Sequence, residues 1–158
     1  MTSEDILNFQ RVDADTITGG QPTEADLRAV AAEGYQVVIN LTTLDPRYSL
    51  PDEGGLAAQL GLTYYHLPVV WASPQPTDFA LFAVLMDQTA GQRRLIHCAA
   101  NYRATAFYSL YALQRLGWTA EQAAGFRANI WLPGQYPVWD DFIAAETARI
   151  GGKPSTVN

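Results

Sequence analysis

Cysteine is nearly missing from this chain: 158 residues carry one, Cys98. A single thiol excludes a disulfide framework and a vicinal resolving cysteine. Histidine is almost as scarce. His66 and His97 are the two, and their spacing does not suit a metal cluster, so neither a metal nor a cofactor is expected. Basic residues are in the minority, ten Lys and Arg against sixteen Asp and Glu, for a net charge of −6 and a pI near 4.7. That balance argues against nucleic acid and anionic membrane as partners. No apolar run is long enough to span a bilayer. The segment Met1-Thr2-Ser3-Glu4-Asp5 lacks the basic and apolar regions of a secretion signal. A cytoplasmic location is the default expectation, and a reducing compartment suits a free thiol.

Hydrophobic content is ample: 48% hydrophobic with 16% charged residues reads as a globular chain. Residues 1–150 are expected to form one domain, and the small, polar stretch 151–158 a flexible tail. Short strands are expected over Ile6–Asn8 and Val12–Ile17 near a sheet edge, with a turn at Gly19-Gly20-Gln21-Pro22. Thr23 caps a helix with Asp26 at the capping-box position, and Gly34 stops it. Val37–Leu41 reads as a strand buried on both faces. Pro51 opens a helix that ends at Gly61, and Thr63–Val69 is the next strand. A proline-rich loop follows, then a helix from Thr77 to about Thr89 and a strand over Arg94–His97. Helices are expected over 103–116, after Thr119 with Gln122 as its box partner, and from Val138 to Ile150. Alternating strands and helices predict a single α/β domain, with a central, mainly parallel sheet flanked by helices.

Cys98 stands where such a sheet does chemistry. The apolar strand Leu95-Ile96 ends in His97-Cys98; Ala99-Ala100-Asn101-Tyr102 and Arg103 lead into a helix with Phe107, Leu110 and Tyr111 at helical spacing. A loop from strand end to helix N-terminus converges backbone N–H groups and the helix dipole on one spot, which binds anions. The same field favours a thiolate over a thiol, and Arg103 adds a planar fork suited to a tetrahedral oxyanion. Open α/β sheets bind ligands at this end.

These residues resemble a known family. His97-Cys98, the loop and Arg103 are similar to the phosphate-binding signature of cysteine-dependent protein tyrosine and dual-specificity phosphatases. Thr18-Gly19-Gly20-Gln21-Pro22-Thr23, Val37–Leu41, Leu50-Pro51-Asp52-Glu53, His66-Leu67-Pro68-Val69 and Ile130-Trp131 to Val138-Trp139 resemble a bacterial, phosphatase-like branch of it. The resemblance implies a phosphatase-like fold and a phosphorylated substrate of unknown class. It implies Cys98, Arg103 and His97 as the catalytic set, with Ala99, Ala100, Asn101, Tyr102 and Thr105 binding substrate. By the same resemblance His97 supports the loop and lowers the thiol pKa without touching substrate.

The departures are specific. Four residues separate Cys98 from Arg103, one fewer than in that signature. Asn101 replaces its glycine, and Asn tolerates the left-handed conformation better than other residues. Ala104 stands where a hydroxyl residue would assist thiolate release, with Thr105 one later. Val70 stands where the family's proton-donating Asp is expected, leaving Asp45, Asp52, Glu53 and Asp78 unranked as donors; Asp78 also reads as a helix-dipole residue. Arg47, Trp71, Tyr102, Arg127 and Trp131 are further candidates to line a pocket. Three functions stay open: a phosphatase working through a cysteinyl-phosphate, a rhodanese-like sulfurtransferase carrying a Cys98 persulfide (whose loop length matches), and a non-catalytic phosphate-binding module. Oligomeric state is not legible.

Overall fold

A computed structural model describes residues 2–151. The chain opens with a 3-10 turn, Ser3–Asp5, followed by β1 (Gln10–Arg11) and β2 (Thr16–Gly19). Then come α1 (Glu24–Ala32), β3 (Val37–Asn40), α2 (Glu53–Gln59), β4 (Thr63–His66) and α3 (Pro76–Gln88). The remainder is β5 (Arg94–His97), α4 (Tyr102–Arg115), α5 (Ala120–Ala128) and α6 (Pro137–Gly151). One five-stranded sheet has the order β1-β2-β5-β3-β4; β1 runs antiparallel and the other strands are parallel. This is the expected α/β fold. Gly151 ends α6, and the rest of the expected tail, 152–158, lies outside the described residues. Among the described residues no helix is long and apolar enough to cross a membrane.

Side-chain alternation along the central strands sorts the core into two layers. Leu95 of β5 and Val38 of β3 pack with Leu27 and Val30 of α1 and Ala57 of α2. Ile96 of β5 and Val37 and Ile39 of β3 face the other way, against Phe79 and Phe82 of α3, Phe107 and Leu110 of α4, and Trp139 of α6. α4 is buried continuously from Arg103 to Ala112, as expected of a helix enclosed between sheet and helices. This alternation decides the site: His97 falls on the α1–α2 side of the sheet, and Cys98 joins the layer that contains α4.

Local expectations at several boundaries are corrected. Ile6–Asn8 is a turn, because Asn8 takes a left-handed φ of 51° and Phe9 donates back to Ile6. The following strand is displaced to Thr16–Gly19 and is one in from the edge, covered by β1. Gly19 and Gly20 do not turn: Gly19 ends β2, and Gly20 bridges to Ala100. A Cβ on Gly20 would lie 2.7 Å from the Ala99 carbonyl oxygen, so this close approach requires glycine. Asp52 rather than Pro51 begins α2, its carboxylate accepting from the Gly55 amide at 3.0 Å. β4 stops at His66, short of Val69, although the Leu67 and Val69 amides still donate to the carbonyls of Asn40, which ends β3, and Leu41. Gln75 rather than Thr77 caps α3, with Pro76 at its first turn. The caps at Thr23 and Thr119 form as expected.

Candidate active site

Cys98, Ala99, Ala100, Tyr102 and Arg103 line one cavity of about 300 Å3 at the carboxyl ends of β3, β4 and β5. Thr43, Tyr48, Trp71 and Tyr136 complete it. Cys98 is almost wholly enclosed, yet the residue lines this cavity, and its sulfur receives the Ala104 amide, from the first turn of α4, at 3.5 Å. The Arg103 guanidinium is turned inward as well. Its Nη1 donates to the Val69 carbonyl at 2.8 Å, and its carbon lies 5.9 Å from the Trp71 ring centroid. The thiol and the guanidinium therefore share one concavity at a helix N-terminus, an arrangement that attracts anions.

Asn101 shapes the loop from behind. It adopts φ 69° and ψ 11°, the left-handed conformation that the sequence comparison with glycine anticipates. Its side-chain amide donates to the Asn8 carbonyl (2.8 Å) and the Thr18 hydroxyl (3.0 Å), tying loop to N-terminal segment. The loop is further held by Cys98 N–H to Gly19 O and Gln21 N–H to Ala99 O. Thr105 is placed differently from the sequence expectation. Its hydroxyl donates to the Asn101 carbonyl at 2.7 Å and accepts from the Trp131 indole at 3.1 Å, and it does not line the cavity.

His97 is fully buried, on the far side of the strand from the cavity. Its Nε2 donates to Glu53 Oε2 at 2.5 Å, and Nδ1 lies 3.3 Å from the Cys98 carbonyl oxygen. Gln21 donates to the other Glu53 oxygen at 2.9 Å. Burial alone would raise the Glu53 carboxyl; the His97 hydrogen bond and charge, with Gln21, more than reverse this and hold it below its usual range.

Among the described residues no carboxylate lines the cavity. Each candidate donor is committed elsewhere. Asp45 chelates Arg47 at 2.6 Å, and that partnership holds it down at about 2. Asp52 caps α2, Glu53 meets His97, and Asp78 accepts from the Gln75 amide at 3.0 Å as a helix cap. Val70 is half exposed and carries no acid. The phenol of Tyr102 is pushed up by burial and by neighbouring Tyr136, so it stays a neutral hydroxyl at the cavity wall.

Of the aromatic and basic candidates, Trp71 and Tyr102 reach the cavity. Arg47 does not, and Arg127 and Trp131 line a separate cleft of about 490 Å3 between α5 and α6. Sequence reasoning missed Thr43, Tyr48 and Tyr136. Tyr136 did sit inside the Trp131–Trp139 segment that carried the resemblance, whereas Thr43 and Tyr48 had only their place after a strand to signal them.

No family model matches the sequence, and no curated protein does. Solved structures do match. A DUF442 protein of Shewanella putrefaciens, described as a candidate phosphatase, is 33% identical over 91% of each chain, with a TM-score of 0.84. The chain belongs to the DUF442 family. Two more distant structures share its fold: Tk-PTP, 18% identical over 90% of this chain and 97% of that one (TM-score 0.75), and the catalytic core of the Saccharomyces cerevisiae PP-IP phosphatase SIW14, 14% identical over 94% and 93% (TM-score 0.74). This DUF442 chain thus has the architecture of cysteine-dependent, tyrosine-phosphatase-like proteins, with Cys98 and Arg103 in its strand-to-helix loop.

Proposed function

We propose that the protein is a cysteine-dependent phosphatase acting on a phosphate monoester. The observation that carries this reading is the enclosure of the Cys98 sulfur and the Arg103 guanidinium in one cavity at the N-terminus of α4. The thiolate of Cys98 attacks phosphorus, an S–P bond forms, and the P–O bond to the leaving group breaks. Arg103 and the amides of residues 99–103 hold the equatorial oxygens as charge redistributes. Water then attacks phosphorus, inorganic phosphate leaves, and the electron pair returns to sulfur, where the Ala104 amide meets it. With no carboxylate on the cavity among the described residues, the leaving oxygen takes its proton from solvent, so turnover favours esters whose alcohols are already acidic.

A second reading, sulfur transfer, has a specific observation in its favour: the four-residue loop makes a smaller cradle, and sulfur transfer needs no leaving-group acid. There Cys98 attacks the sulfane sulfur of a thiosulfate-like donor, sulfite leaves, and the resulting persulfide passes its outer sulfur to a nucleophilic acceptor. The test is p-nitrophenyl phosphate hydrolysis beside thiosulfate:cyanide transfer, each with Cys98→Ser as control. Phosphate release lost in Cys98→Ser supports the proposal. Sulfur transfer alone supports the second reading, and anion binding without turnover makes the protein a phosphate-binding module.

A further inference from the structure

We propose that Glu53 is a positioning residue of this site, acting on Cys98 through His97. The inference rests on the reading of Cys98 as a nucleophile, toward phosphorus or sulfur alike. Strand alternation puts His97 and Cys98 on opposite faces of the sheet, so the imidazole cannot meet a substrate in the cavity. It meets the Cys98 backbone instead. One ring nitrogen faces the Glu53 carboxylate and the other the Cys98 carbonyl, and both partners are acceptors. The ring therefore links the buried carboxylate to the backbone of the nucleophile and fixes where that backbone lies.

A carboxylate at 5% exposure needs partners, and Glu53 has them on both oxygens, His97 and Gln21. Its depressed pKa keeps it charged against burial. The other polar groups around the ring are occupied. Asn40, beside His97 on β3, gives its side chain to Tyr64 and Thr42; His66 of β4 contacts the Thr42 carbonyl; Arg103 of α4 is held by Val69. None of them competes for His97. Three segments far apart in sequence, around Gln21, Glu53 and His97, therefore close on one buried point whose output is the position and field at Cys98.

The geometry also supplies a clean variant. Gln21 Oε1 is buried without a partner. In Glu53→Gln the Gln21 amide can turn and offer that oxygen to the new side chain, keeping the bonds to His97 and Gln21 and giving up the Gln21 bond to the Pro22 carbonyl along with the charge. Because Cys98 is the single cysteine, iodoacetamide reports on one sulfur. We expect alkylation and kcat to fall roughly 10- to 100-fold in Glu53→Gln and further in Glu53→Ala, as for other buried partners of functional histidines. KM should stay within about twofold, with an unchanged circular dichroism spectrum. Alkylation at the wild-type rate in Glu53→Gln overturns the proposal. Should the variants not fold, 15N shifts of the imidazole in the unmodified protein decide: a proton on His97 Nε2, facing Glu53, supports it, and an Nε2 without one overturns it. Turnover surviving in Cys98→Ser would instead remove the phosphatase reading while leaving the alkylation comparison to judge Glu53.

Discussion

Two segments leave the same end of the sheet and enter helices on the same face, yet they carry unequal chemistry. Between β5 and α4, Cys98 to Asn101 make a short, enclosed loop whose bonds run to Gly19, Gln21, Asn8 and Thr18. Between β4 and α3, residues 67–75 form a longer segment that contributes the Val69 carbonyl and the Trp71 ring but no acid. The first segment brings a thiol, a guanidinium and a helix N-terminus together. The second positions the first, through Arg103, without supplying a proton. On the proposed function, binding and proton donation are thus separate demands, and the side chains of this cavity answer the first more fully than the second.

That contrast can be broken at its stronger side. Arg103→Ala removes the one guanidinium that the described residues bring to the cavity, and kcat/KM for p-nitrophenyl phosphate should fall by about 100- to 1,000-fold. A loss under threefold would show that the loop amides suffice. The weaker side can be repaired. Val70 is half exposed and adjoins in sequence both Val69, whose carbonyl holds Arg103, and Trp71 of the cavity wall, so Val70→Asp supplies an acid on the segment that lacks one. Turnover of an alkyl phosphate should rise about tenfold or more, with little gain on p-nitrophenyl phosphate, whose leaving group needs no acid.

Smaller effects test what holds each segment. Asn101→Ala forces a Cβ-branched-free but non-glycine residue into the left-handed region and removes two side-chain hydrogen bonds, for roughly 2–4 kcal/mol by chemical denaturation. Asn101→Gly, which keeps the backbone free, should lose less than Asn101→Ala. Equal losses would mean that the bonds alone matter. Asp78→Asn should cost about 0.5–1 kcal/mol through the α3 cap and leave the pH–rate profile unchanged. A vanished alkaline limb in that variant would make Asp78 a proton donor after all.

Much of this was legible in sequence because it is local. The apolar runs of β3 and β5, the boxes at Thr23 and Thr119 and the tolerance of Asn101 for a left-handed turn each depend on neighbours within a few residues. What the sequence hid is long-range. Glu53 resembled a loose acid until α2 set it beside His97, 44 residues away. Thr105 resembled a loop hydroxyl, but the helix began at Tyr102 and turned it to Trp131. Tyr48 and Tyr136 reach the cavity only because loops from separate strands and helices end there. The N-terminal strands were misplaced for the same reason: Gly19 and Gly20 look like a turn, and only the approach of Ala99 and Ala100 makes them extended.

The central claim is that the Cys98 sulfur takes the transferred group. Acid quench of the wild-type protein during turnover of a 32P-labelled aryl phosphate, followed by peptide mapping, tests it directly. The account predicts label on the peptide containing Cys98 and none in Cys98→Ser, with turnover lost. Label on another residue, or undiminished phosphate release by Cys98→Ser, would contradict it.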